Sequence, residues 1–263
     1  MRLLVLKCNL CRVSAEAWLT TIIIMKGIRT IFLVLLLIAG IENSYAQTAD
    51  GIIEKYIKAI GGRENLSKIK SSFVVTEGRV MGMKVITKTT ILYGKGMRME
   101  NETRGRRNIT VYTEKSGWTT SDKNDSQTEQ MPDDQYQLGR EQIYLCNPFL
   151  DYKERGYKIS YEGIEKVRRN DLIKIKMISP AGNESEYYFD PDTFYLAKAI
   201  QMFNMNGRDF RMETYYSNYR DTGTGYITPF TVESVFGGLM SVTSEIKEAV
   251  NNQPVNESIF ARP

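Results

Sequence analysis

The sequence predicts an α+β fold, mainly β: a strongly curved antiparallel sheet forming an incomplete barrel wrapped over one or two helices. Three observations carry this. One amphipathic helical stretch opens the folded part of the chain. After Ser71 the pattern changes from a helical period to a period near two and keeps it. Turn signals then recur at hairpin spacing to the C-terminus.

The helix is read in DGIIEKYIKAIGG, Asp50 to Gly62. Ile53, Tyr56, Ile57 and Ile60 fall at i, i+3, i+4 and i+7, which makes one apolar stripe. Asp50 is expected to cap the first turn. Gly61-Gly62 ends the helix, because glycine enters the left-handed conformation cheaply. Leu66 and Ile69 form a short second turn. Such a stripe needs a sheet to bury it.

Strands are expected from Phe73 onward. Met81-Gly82-Met83 reads as a bend, and Gly94-Lys95-Gly96 as a hairpin turn. Ile109, Val111 and Thr113 share one face of a strand, and Gly117 leads into Trp118. Ser121 to Gln130 is polar and reads as an exposed loop. Pro132 opens a second helix with Asp133 and Asp134 in its first turn, an inner stripe of Tyr136, Arg140, Ile143 and Tyr144, and an end at Asn147-Pro148. Strands resume at Tyr157, with turns at Asp190-Pro191-Asp192, Asn206-Gly207, Gly223-Thr224-Gly225 and Gly237-Gly238. Ten or eleven strands result, and so many in one sheet curl or close. Ile259 and Phe260 are expected to tuck in at the end.

Before the helix, Lys26 and Arg29 precede an apolar run of 11 residues, Ile31 to Ile41, followed by Ser44-Tyr45-Ala46. This reads as a secretory signal peptide over 25–46, cleaved after Ala46, with export across the inner membrane to the periplasm. The run is shorter than the about 20 residues that span a bilayer. Residues 1–24 are an upstream extension, and 47–263 form a single domain that does not span the membrane. No cysteine follows Ala46 directly, so lipidation there is not expected.

After Ala46 the chain carries 30 basic and 29 acidic residues, so the basic character lies largely in the leader and gives no support for nucleic-acid binding. Arg104, Arg106 and Arg107 read as a solvated hairpin tip. Cys8 and Cys11 lie in the leader. Cys146 alone remains, and reads as a small buried hydrophobe.

Histidine is absent, which removes Ser-His-Asp and Cys-His catalysis and most zinc chemistry. No phosphate-cradling or nucleophile-elbow motif occurs. Carboxylate pairs exist at Asp133-Asp134, Asp190 with Asp192 and Glu184 with Glu186, and each has a structural reading. No catalytic residue, metal or cofactor is expected. Methionine is the unusual feature: ten lie beyond the leader, nine of them in expected strands or bends. Methionine fills irregular space and suits surfaces that accept varied apolar ligands. Alternation selects Met81, Met83, Val85, Ile91, Met97, Met99, Trp118, Met177, Met202, Phe210 and Met212 as candidates to line an apolar cavity. Ordinary core filling explains the same methionines equally well.

The phrases IIEKYIKAIGGRENLSKIKS, YYFDPDTFYLAKAI, YSNYRDTGTGYITPF and VNESIFARP, in that order among strands, resemble periplasmic proteins of the outer-membrane lipoprotein-sorting type, the LolA/LolB-like family, in the form common in Bacteroidota. The resemblance covers nearly all of 48–263. It implies an incomplete barrel over helices, and a carrier that holds the acyl chains of a lipid or lipoprotein without covalent chemistry. The lack of a lipidation cysteine is more like the soluble carrier than the anchored receptor. The other readings are a structural or partner-binding envelope protein with a filled interior, and an enzyme acting on an envelope polymer through facing carboxylates.

Overall fold

The apolar stripe becomes helix α1 (Ala49–Ala59). The computed structural model describes residues 48–120, 127–146, 148–205, 208–238 and 240–263; the leader, most of the polar loop after Thr120 and the Asn206-Gly207 turn lie outside these. Thr48, rather than Asp50, caps α1: its Oγ1 accepts from the Gly51 amide at 3.1 Å. Asp50 sits in the first turn, where Lys153 Nζ lies 2.8 Å away and the Tyr152 hydroxyl donates to its carboxylate. Those two donors hold its pKa below the ordinary carboxylate value. Ile52, Ile53, Tyr56, Ile57 and Ile60 are buried. A one-turn helix α2 (Arg63–Leu66) follows and buries Leu66.

Strands then run β1 (Ser71–Val80), β2 (Met83–Leu92), β3 (Gly96–Thr103), β4 (Arg106–Thr113), β5 (Gly117–Thr120) and β6 (Thr128–Gln130). Helix α3 (Asp133–Gly139) and a 3-10 turn (Arg140–Ile143) interrupt them. The second series is β7 (Lys158–Val167), β8 (Asn170–Ile178), β9 (Glu184–Phe189), β10 (Leu196–Met205), β11 (Arg208–Asp221), β12 (Ile227–Phe236) and β13 (Met240–Asn251). A second 3-10 turn, Glu257–Phe260, follows them near the C-terminus.

All thirteen strands form one sheet, in the order β6-β5-β4-β3-β2-β1-β13-β12-β11-β10-β9-β8-β7. Two antiparallel meanders are therefore joined by the β1–β13 pair, and β6 and β7 are left as open edges. The barrel is incomplete, and the mainly β fold matches the sequence expectation. β6 was not expected: its three residues, Thr128 to Gln130, lie in a polar stretch with no alternating apolar pattern and pair with β5 through backbone.

The inner face holds the main core. Isoleucines of α1 pack on Ile173, Ile175, Tyr187, Phe189 and Ala199 of β8–β10. Tyr56, Phe149, Tyr187 and Phe189 meet edge to face, with ring centroids 4.7–5.6 Å apart. A second cluster sits under α3, with Met97, Tyr112, Met131, Tyr136 and Ile143. The expected stripe of that helix is half right. Tyr136 and Ile143 are buried, but the helix gives way to a tighter turn after Gly139, and Arg140 faces out to pair with Glu141 at 3.2 Å. The outer face is covered in two places. Phe260 closes over Val111 and Trp118, and Leu172, Tyr188 and Ile200 form a small cluster with Val167. Among the described residues no helix is long and apolar enough to cross a membrane.

Candidate ligand cavity

Cross-strand pairing aligns one row of side chains on the inner face: Met240, Phe236, Met212, Gln201, Ser185, Met177 and Ile159, running from β13 to β7. Directly opposed residues share a face, so this row is continuous. A cavity of about 440 Å³ lies over its middle. The sheet wall is Met177, Ser185, Tyr187, Gln201 and Met212. The facing wall comes from α3 and the turn after it, with Gln137, Gly139, Glu141, Gln142 and Pro148. Tyr112 and Tyr157 close the flanks, and Ser179 and Asn183 of the β8–β9 turn stand at one end.

Gly139 allows this wall to approach β4. A Cβ there would lie 2.1 Å from the Tyr112 ring. Glu141 is neutralised by Arg155 and Arg140 and accepts from the Tyr157 hydroxyl at 3.1 Å. Burial pushes the Tyr187 hydroxyl up, so it stays protonated. About half of the lining residues carry polar side chains, Gln137, Glu141, Ser185 and Gln201 among them, beside the thioether and ring surface, and the volume is in the range of small-molecule sites. The lower part of the inner face is filled by α1 and Phe149.

The structure brings Met177, Met202 and Met212 to this cavity. Met202 contributes at the rim, 45% exposed, since it pairs with Arg211 and has the parity of the outer-facing Ile200. Phe210 shares the face of Met212, two residues along β11, and is partly exposed. Met97 and Ile91 instead pack under α3, Met97 being 3% exposed. Met83, Val85 and Met99 have inner-face parity on β2 and β3, in the other half of the sheet, where the row beside Met99 is Thr89 and Thr110.

Two expectations are corrected. Met81 is not inside: it occupies a two-residue hairpin turn at φ 50° and is 84% exposed. Trp118 faces the opposite side of the sheet, buried against Phe260, whose carbonyl accepts from its Nε1 at 3.0 Å. The reason is the two-sided cover on β4, where Val111 and Tyr112 are adjacent and both buried. Alternation gives no sign there of which face is inner. Tyr112, Tyr157, Tyr187, Gln201 and Glu141 were missed. Tyr187 and Gln201 lay in strands whose alternation was visible; Glu141 and Gly139 depend on how the α3 segment folds back.

The acid pairs do not converge on the cavity. Asp190 Oδ1 accepts from the amides of Asp192 and Thr193, which shapes its turn. Glu184 pairs with Lys176 and Glu186 with Lys174, each at 2.8 Å, on the outer face. Burial opposes the charge on Glu186, but Lys174 and the Tyr188 hydroxyl outweigh it and hold its pKa down. Cys146 is half-buried against the core, and desolvation pushes its thiol up to about 12, which makes it a poor nucleophile. Among the described residues no group of three or more His, Cys, Asp or Glu side chains is arranged to hold a metal.

An open antiparallel sheet folded over helices is also found in solved structures. A LolA superfamily protein of Nitrosomonas europaea superposes with a TM-score of 0.56, at 13% identity, over 82% of this chain and 98% of that one. A putative outer membrane lipoprotein-sorting protein domain of Vibrio parahaemolyticus gives 0.54, at 11% identity, over 79% and 97%. A DUF1329 family protein of Desulfovibrio piger gives 0.54, at 12% identity, over 79% and 95%. No family model and no curated protein matches the sequence. At these identities the likeness is one of fold.

Proposed function

We propose that this protein is a non-enzymatic periplasmic carrier that holds an acyl chain of a lipid or lipoprotein in the cavity above α1. The observation that carries the reading is the cavity itself: about 440 Å³, where Met177, Met212 and tyrosine rings supply the apolar part of a wall that also holds glutamine and serine side chains, in a fold like that of a lipoprotein-sorting domain. Each CH2 withdrawn from water contributes roughly 0.8 kcal/mol, so an adaptable methionine lining supplies binding without directional chemistry. Holding and release need no covalent step, and no catalytic residue is assigned. The carrier is the 47–263 domain, exported by the 25–46 signal peptide.

Met212→Asp is the direct test. Met212 is half-buried on β11, so the variant folds, and a desolvated carboxylate opposes an acyl chain. Uptake of a fluorescent fatty acid or a diacylated lipopeptide should fall about tenfold or more, since each 1.4 kcal/mol is a factor of ten. Unchanged uptake would remove the cavity from the account. A second reading rests on the lower interior, where α1 and Phe149 pack against the sheet: a partner-binding envelope protein. Absence of uptake by the native protein would favour it.

A further inference from the structure

Because the sheet is a pair of antiparallel meanders, the β1–β2, β3–β4, β8–β9 and β12–β13 turns all lie at one end of it. Scattered exposed apolar side chains are normal on a protein surface. Here they gather. Met81 is 84% exposed at the β1–β2 turn, and Phe236 and Met240, paired across β12–β13, are 37% and 41% exposed. β1 and β13 are neighbours, and Arg79 pairs with Thr243, so the two turns stand side by side. The next turn along, β3–β4, adjoins the first through the pairing of Ile86 with Glu102.

Charge is uneven at the same end. Residues 79–84 and 102–107 contain Arg79, Lys84, Arg104, Arg106 and Arg107 against Glu102 alone. The span after Ala46 has 30 basic and 29 acidic residues, so the remainder carries an excess of acid. Lys84 is held by Glu77 and Arg107 by Glu100. Arg79, Arg104 and Arg106 are exposed. Exposed apolar tips beside guanidinium groups fit one kind of surface: apolar side chains enter the headgroup boundary while the cations meet anionic headgroups.

We propose that this end of the sheet docks on an anionic bilayer, with Met81, Phe236 and Met240 inserted and Arg79, Arg104 and Arg106 on the headgroups. The row that begins at Met240 and Phe236 continues through Met212 into the cavity, and the cavity reaches the β8–β9 turn at this end, through Ser179 and Asn183. Docking would therefore place the cavity's rim row at the membrane surface. The inference goes beyond the carrier function, and either can fail alone: docking needs no cargo, and uptake in solution needs no bilayer.

Flotation with vesicles tests it. The native chain, Met81→Glu with Met240→Glu, and Arg104→Glu with Arg106→Glu are compared, so that any leader segment is common to all three. Phosphatidylethanolamine vesicles containing phosphatidylglycerol should float the native protein, and phosphatidylcholine vesicles should not. Each double variant should partition about tenfold less, and high salt should release the native protein, because exposed charges are screened within a few ångströms there. Thermal midpoints like that of the native protein should show that both variants fold, and fatty-acid uptake should be unchanged in Arg104→Glu with Arg106→Glu. Equal binding to the two kinds of vesicle, no binding to either, or variants that float like the native protein would each overturn the proposal.

Discussion

Gly61 shows how one residue ties the helix to the sheet. Its φ is 128°, and a Cβ there would lie 2.3 Å from the Gly225 carbonyl oxygen. The Ile227 amide donates to the Ile60 carbonyl at 3.0 Å, and Asn65 Nδ2 donates to the Thr224 carbonyl at the same distance, so the β11–β12 turn is docked on the end of α1. Gly61→Ala is expected to destabilise the fold by about 2–3 kcal/mol, from backbone strain and displaced backbone together. A denaturant midpoint equal to the native one would contradict this. On the outer face, Trp118→Phe removes the bond to the Phe260 carbonyl and keeps most of the packing. A loss of about 1 kcal/mol is expected from the same measurement, with fatty-acid uptake unaffected. Impaired uptake would mean that Trp118 acts on the cavity after all.

At the scale of elements, α1 does most to fill the inner face. Ile53 is fully buried among residues of the sheet, so Ile53→Ala should cost about 3 kcal/mol through lost burial and a residual void. A thermal scan reads this, and a shift near zero would mean that the helix is not held as described. The stripe that includes Ile53, Tyr56, Ile57 and Ile60 was legible in the sequence because one period governed it from Asp50 to Gly62. The hairpins were legible for the same kind of reason, through glycine turns between alternating strands. β6 was not, because backbone pairing alone makes it. The inner face of β3–β5 was not either: Val111 and Tyr112 are both buried, and no pattern within β4 says that a turn near the C-terminus will cover one side. The cavity was legible only in part. Met177 and Met212 follow from alternation, while Gln137, Gly139 and Glu141 arrive by the folding back of α3, which the sequence read as a longer helix.

Across the whole molecule, several phenols pack with the Cys146 thiol around one core cluster. Burial is the largest cause of the raised pKa at Tyr56, Tyr216, Tyr226 and Cys146, the thiol and Tyr216 reaching about 12. Ordinary values in an unfolded chain are about 8.5 for the thiol and about 10 for the phenol. The folded state therefore keeps protons that the unfolded chain releases. Stability from these groups is complete below about pH 8.5 and falls as the pH rises toward about 12. Urea midpoints should decline steadily over that window, and a flat profile would contradict the burial of the cluster. Cargo should act in the opposite direction, raising the thermal midpoint of the loaded protein over the delipidated one.

The central claim is that the cavity is occupied by an acyl group in the protein's own setting. Native mass spectrometry of the protein purified gently from its host, followed by lipid extraction, tests it most directly. The account predicts a bound species whose extracted mass is that of an acyl-bearing lipid or lipopeptide, and which is absent from Met212→Asp. A clean unliganded mass, with no uptake of added fatty acid or lipopeptide, would contradict it.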